Sequence, residues 1–211
     1  MWFRFLYSFI IIKNNFTPLE HKNTSKMNKK YPPNLFNNAL KAMQLNGDIY
    51  KFFVEKEESI SHSFMTVASA AIMSAIGIYH RATLQSDRDL DILPIYIISV
   101  AFMTVLVGWI MWSYVIKVLC GFWGGRPEVR DSIRGSGIAY APGVFMVFSG
   151  LNFIGPFIML IASIWMLISV TKAISSVHNI SIAKSIIPGI LGWSMAWILL
   201  PSLFFSPFIF N

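Results

Sequence analysis

Charged side chains are scarce in this 211-residue chain, at 13% of residues, against roughly a quarter in an ordinary soluble domain. With 55% hydrophobic residues beside them, that shortage excludes an ordinary soluble globular domain. Cysteine is scarcer still: Cys120 stands alone, so no internal disulfide forms and no paired or zinc-type spacing exists. Asp, Glu, Lys and Arg are missing altogether from Ser59–His80, Ile92–Ile116, Gly135–Thr171 and Ser185–Asn211, which together hold 111 residues. About 18 mostly apolar residues without charge suffice to cross a bilayer as a helix, so each stretch is a transmembrane candidate. The chain reads as an all-α, polytopic membrane helical bundle.

The 37-residue stretch from Gly135 to Thr171 decides the span count. As one helix it would be roughly 55 Å long, against a hydrocarbon core of about 30 Å. It must therefore fold back on itself, and Asn152, Gly155 and Pro156 place the turn at Leu151–Pro156. Five transmembrane helices follow: Ser63–Tyr79, Leu93–Val115, Gly137–Leu151, Phe153–Ile174 and Ile186–Phe208, the third being the shortest. Basic residues orient them. With five spans, 15 of the 17 Lys and Arg fall on the side of the amino terminus and only Arg81 and Arg88 on the other. The positive-inside rule then puts the amino terminus in the cytoplasm and the carboxyl terminus outside. The net charge of +7 is thus a topology signal rather than a nucleic-acid footprint.

Lys117 adjoins a long apolar stretch at its cytoplasmic end, where its stem reaches the interface. No ionisable residue need sit at the bilayer midplane, which argues against a proton-coupled pump or a voltage sensor. A pore lined by backbone or hydroxyl groups stays compatible with the sequence.

The chain divides into a basic amino-terminal tail (1–34), an amphipathic cytoplasmic segment (35–58) and a five-span membrane domain (59–211). Met1–Ile12 is apolar but too short to span, and lacks the small-residue cleavage pattern of a signal peptide. It is either an interfacial anchor or, if Met27 is the true start, part of an upstream translation covering residues 1–26. Leu35, Phe36, Ala39, Leu40 and Met43 fall at helical spacing, and Ile49, Phe52 and Phe53 repeat it after Asn46-Gly47. Two short amphipathic helices result, lying in the headgroup layer or packed on the protein's own cytoplasmic loops.

Between spans two and three, Pro127 can start a helix and Gly135 end it, which puts Arg126, Arg130 and Arg134 on one face. With Lys172 and Lys184 they are the candidate contacts for anionic headgroups or an acidic protein partner, against a background of plain positive-inside bias. Outside, Asp87, Asp89 and Asp91 alternate like calcium ligands, but Ile92 and Ile98 occupy the turn and final-carboxylate positions, so a solvated acidic loop is the reading. His21, His62, His80 and His178 have no ligand spacing, and no Ser, His and acidic set for hydrolysis is visible. Neither a metal nor a cofactor is expected.

Gly124–Pro156, reading GGRPEVRDSIRGSGIAYAPGVFMVFSGLNFIGP, resembles the Yip1-domain membrane protein family. The resemblance rests on Gly137, Tyr140, Ala141 and Pro142 at the start of span three, and on Val177-His178-Asn179-Ile180-Ser181 with Lys184 between spans four and five. It extends over roughly Leu35–Pro201, with Leu45–Phe53 as the apolar lead-in. It implies a non-enzymatic five-span bundle in which Gly137, Tyr140, Pro142, His178 and Ser181 form a structural motif. Eukaryotic members act in vesicle transport between endoplasmic reticulum and Golgi and associate with small GTPases. This chain departs from them in its short amino-terminal region and in lacking their aspartate-leucine-tyrosine-glycine-proline motif, the nearest string being Asp48-Ile49-Tyr50-Lys51-Phe52. The small-GTPase partner is therefore not carried over, and the prokaryotic type matches better.

The expected function is a non-enzymatic membrane scaffold or adaptor, in membrane organisation or trafficking, with a small channel or transporter as the alternative. Its partners would be the lipid bilayer with its anionic headgroups and a protein on the cytoplasmic face, with homo-oligomerisation left open and no nucleic acid. It would reside in the cell membrane of a prokaryote or in the endoplasmic reticulum and Golgi of a eukaryote.

Overall fold

A computed structural model of the chain describes residues 34–56, 59–85, 93–125, 128–200 and 202. The expectations for the tail before Asn34, for Asp87, Arg88, Asp89 and Asp91, for Arg126 and Pro127, and for Pro201 and the end of the last span lie outside the described residues. Among the described residues every regular element is helical.

The amphipathic segment forms two short helices, α1 (Leu35–Met43) and α2 (Gly47–Glu55). Asn34 caps the first, its side chain accepting from the Asn37 amide at 3.3 Å. Leu45 takes a left-handed conformation (φ 60°) and Asn46 caps the second by accepting from the Asp48 amide at 3.0 Å. Asp48 in the first turn of α2 suits the positive end of its dipole. Helix α2 buries Ile49, Tyr50, Phe52, Phe53 and Val54 against the rest of the protein. Of the two placements open to this segment, α2 takes packing on its own chain, whereas α1 leaves Phe36 70% exposed.

Among the described residues four helices are long and apolar enough to cross a membrane: Ser59–Leu84, Ile95–Phe122, Gly155–His178 and Ile182–Leu199. They correspond to α3 (Ser59–Gln85), α4 (Leu93–Phe122), α6 (Gly155–His178) and α7 (Ile182–Ser194), the last continuing as a π-helix over Met195–Leu199. Helix α4 ends on Gly124, whose φ of 75° is a conformation glycine adopts without strain, and the Gly125 amide returns to the Cys120 carbonyl at 2.9 Å.

The expected third span, Gly137–Leu151, is not a single α-helix. Helix α5 (Val129–Ala139) runs through Gly135, where the sequence suggested a stop, and is followed by a 3-10 helix over Ala141–Gly150. Gly135 serves packing instead, since a Cβ there would lie 2.7 Å from Val177 Cγ2. Pro142 accounts for the change of helix: it has no amide to continue the α ladder and its ring clashes with the carbonyl four residues back. Beyond it the three-residue pattern takes over, with the Gly143 amide on the Tyr140 carbonyl at 2.8 Å.

The looser helix still keeps pace with its neighbour. Gly137 meets Ser63, Gly143 meets Ala70, the Met146 carbonyl meets Gly77 and Gly150 meets His80, so this segment runs parallel to α3. From Ser63 to His80 an α-helix rises about 26 Å. From Gly137 to Gly150, a few α-helical steps followed by 3-10 steps of about 2.0 Å rise about 25 Å. Fewer residues thus cover the same distance. The expected turn appears at Leu151–Ile154, with Pro156 in the first turn of α6.

Helices α6 and α7 turn at Asn179, which is left-handed (φ 53°), and Ser181. Helix α7 packs antiparallel to α4: Gly192 meets Trp112 and Ala196 meets Gly108.

Candidate functional site at the basic end of the bundle

Helix α2, the first turns of α5, the start of α3 and the end of α6 converge at one end of the bundle, and polar side chains are sealed between them. Helical spacing places Ser132 and Ser136 one turn apart on α5, and Trp109 and Ser113 one turn apart on α4. Ser136 Oγ accepts from Trp109 Nε1 at 3.1 Å and shares a hydrogen bond with Ser113 Oγ at 3.1 Å. Ser63 Oγ donates to the Arg134 carbonyl at 2.7 Å, tying α3 to α5. Arg134 Nη1 donates to the Val54 carbonyl at 3.0 Å, tying α5 to the last turn of α2. Ser132 Oγ and His178 Nε2 share a hydrogen bond at 3.2 Å, joining α5 to the end of α6. Asp131, Ser132, Arg134 and His178 are all buried.

These bonds act as inter-helix clamps. Polar groups taken out of water cost free energy unless partnered, so a layer of them specifies one register of the helices rather than merely filling space. Ser132 and His178 do meet, a contact that no spacing in the sequence indicates. They are packed closely among Ile116, Ala173, Ile174 and Val177.

The pair α1 and α2 is held in two further ways. Tyr50 Oη donates to the Ala42 carbonyl at 2.7 Å, closing the α1–α2 corner, and burial pushes the Tyr50 phenol above its usual range. Trp165 Nε1, on α6, donates to the Met43 carbonyl at 3.0 Å. The Trp165 ring stacks on Phe145 of the 3-10 helix with centroids 5.7 Å apart.

The candidate surface contacts divide. Arg130 and Lys184 are exposed and Lys172 is half-buried beside Gly47. Arg134 instead points inward, because α5 passes beneath α2 within its own length, and Arg126 lies outside the described residues. The five motif residues are internal or capping. Gly137 is buried where a Cβ would strike Ser63 and Trp109. Tyr140 is edge-on to Trp112, with centroids 5.9 Å apart. Pro142 starts the 3-10 helix, His178 joins the polar layer, and Ser181 caps α7 by accepting from the Lys184 amide at 3.4 Å. Trp112 also donates to the Pro188 carbonyl at 3.1 Å.

The sequence marks Trp109 as a packing residue but does not single out its serine partners in this layer. Their only trace there is the four-residue spacing of Trp109 with Ser113 and of Ser132 with Ser136, a pattern shared by many lipid-facing helices. Among the described residues no three His, Cys, Asp or Glu gather as metal ligands. The family model described as the Yip1 domain matches residues 49–205. No curated protein and no solved structure matches the chain.

Proposed function

Because the chain belongs to the Yip1 domain family, a family of integral membrane proteins, we propose that it is a non-catalytic scaffold or adaptor that works through the basic end of its bundle. The observation that carries this reading is the use made of the motif residues: Gly137, Tyr140, Pro142, His178 and Ser181 serve packing, clamping and capping. What they build is a rigid platform. Above it Arg130 and Lys184 stay exposed, with half-buried Lys172 nearby, a set suited to anionic headgroups or an acidic protein surface.

In this reading the bundle passes the membrane five times, with its amino terminus and basic end in the cytoplasm. The parallel course of α3 and the α5–3-10 segment supports it, since spans one and three must run the same way. The host membrane would be the cell membrane of a prokaryote or the endoplasmic reticulum and Golgi of a eukaryote.

Crosslinking mass spectrometry in native membranes tests the proposal. A scaffold gives reproducible crosslinks from Lys172 and Lys184 to a partner or to further copies of the chain. Absence of any such partner, together with solute flux in proteoliposomes, would replace it with a small channel or transporter.

A further inference from the structure

Helix α1 sits on the flank of the bundle, at a depth set by its contacts with two of the spans. Trp165 Nε1 donates to the Met43 carbonyl at 3.0 Å. Helix α6 has 24 residues, about 36 Å, so a hydrocarbon core of about 30 Å leaves only about 6 Å of it to spare. Trp165 lies about 15 Å from its Gly155 end and about 20 Å from its His178 end, inside the core wherever the core is placed along the helix. Side chains on an α-helix lean towards its amino terminus, here away from the basic end, so the bond to Met43 is made at no shallower depth. Phe36 and Leu40 line one groove with Thr66 and Ser69 of α3 and Ala141 and Val144 of the 3-10 helix. On the 27-residue α3, Ser69 is about 15 Å from one end and about 24 Å from the other, again inside the core.

The carboxyl-terminal end of α1 is finished as that depth requires. The last four carbonyls of an α-helix have no partner within it, and hydrocarbon supplies none. Here all four are met by the protein. Leu40 accepts from the Gln44 amide at 3.0 Å and Lys41 from the Asn46 amide at 3.2 Å. Ala42 accepts from the Leu45 amide at 3.0 Å and from Tyr50 Oη, and Met43 accepts from Trp165. Leu45, left-handed at φ 60°, holds the position where such helix ends usually carry glycine. It presents an apolar side chain to the same groove as Leu167 and Ile168 of α6.

We propose that α1 is submerged in the bilayer leaflet at the basic end, below the headgroups, and that lipid acyl chains cover its exposed face. That face is apolar: Phe36 and Leu40, one turn apart, are both exposed. Exposed apolar side chains at core depth on the spans themselves, Ile72 on α3 and Ile168 on α6, meet the same medium. At nine residues α1 is far too short to cross the bilayer. Asn37, Lys41 and Gln44 fall on the stripe next to Phe36 and Leu40, the amphipathic pattern of a helix lying in a leaflet. This proposal does not depend on the scaffold reading and rests only on α3 and α6 crossing the membrane.

The test uses the full chain in a Cys120→Ala background, with a nitroxide on one introduced cysteine at a time, in vesicles of phosphatidylcholine and phosphatidylglycerol. Collisions with oxygen, which concentrates in hydrocarbon, are compared with collisions with a water-soluble nickel chelate. Phe36→Cys and Leu40→Cys should give an oxygen-to-nickel ratio matching that of Ile72→Cys and Ile168→Cys. It should stand several-fold above the ratio at Asp48→Cys and Lys51→Cys, which are exposed on α2. Both reporter positions on α1 are exposed, and if one variant fails to fold the other carries the test. A ratio there as low as on α2 would place α1 in water and overturn the proposal. Exclusion of both reagents would mean that another protein surface covers the face, and would overturn it equally.

Discussion

At Gly192, α7 lies so close to α4 that a Cβ would overlap the Trp112 indole, whose Nε1 is already committed to the Pro188 carbonyl. Alanine in place of glycine gains up to about 1 kcal/mol of helix propensity, but overpacking against a ring that cannot move costs about 1–3 kcal/mol. The overlap wins. Gly192→Ala should lower the melting temperature in detergent, and Trp112→Leu in the same chain should restore part of the loss, a coupling that a double-mutant cycle measures. Tyr50 makes a different prediction. Burial raises its phenol above the ordinary value near 10, so the unfolded chain ionises it first. Its contribution is therefore complete below about pH 10 and is lost as pH climbs above that value. Thermal melting followed from pH 8 to 11 should fall steeply in the native chain and less steeply in Tyr50→Phe.

The two amphipathic helices look alike as elements but differ in what they bury. Helix α2 places Ile49, Phe52 and Phe53 inside, whereas α1 buries Asn38 and Ala42 and leaves Phe36 and Leu40 exposed. Phe53→Ser should cost about 3–5 kcal/mol or more, the usual penalty for emptying a buried aromatic site, and should release α2. Hydrogen exchange would then speed up across Gly47–Glu55. Phe36→Ser should leave exchange in α2 unchanged, because a side chain 70% exposed has little to lose. The spacing of apolar residues identified both helices and the Asn46-Gly47 break between them. It could not say which would be covered, because coverage depends on α5 and α6, far along the chain. The 3-10 helix was likewise out of reach. Only the course alongside α3 reveals why a stretched helix fits there.

For the whole molecule, the decisive measurement is orientation. In a Cys120→Ala background, single cysteines at Asn152 and Ser181 sit in the two turns that flank α6. A membrane-impermeant maleimide applied from outside should label Asn152→Cys and spare Ser181→Cys, with the reverse in inverted vesicles. Labelling of both from one side would end the five-pass reading. Composition alone determined that this is a helical membrane protein, because uncharged stretches of this length have no other stable home, and the signature around Gly137–Pro142 suggested the family that the match over residues 49–205 established. Tertiary structure alone decided that Arg134 faces inward, that Ser132 meets His178, and that Trp109 meets Ser136. The physical reason is common to both halves. Transfer into a bilayer is a property of a segment and is written locally in hydropathy, whereas partners for buried polar groups come from residues tens of positions away, and only packing brings them together.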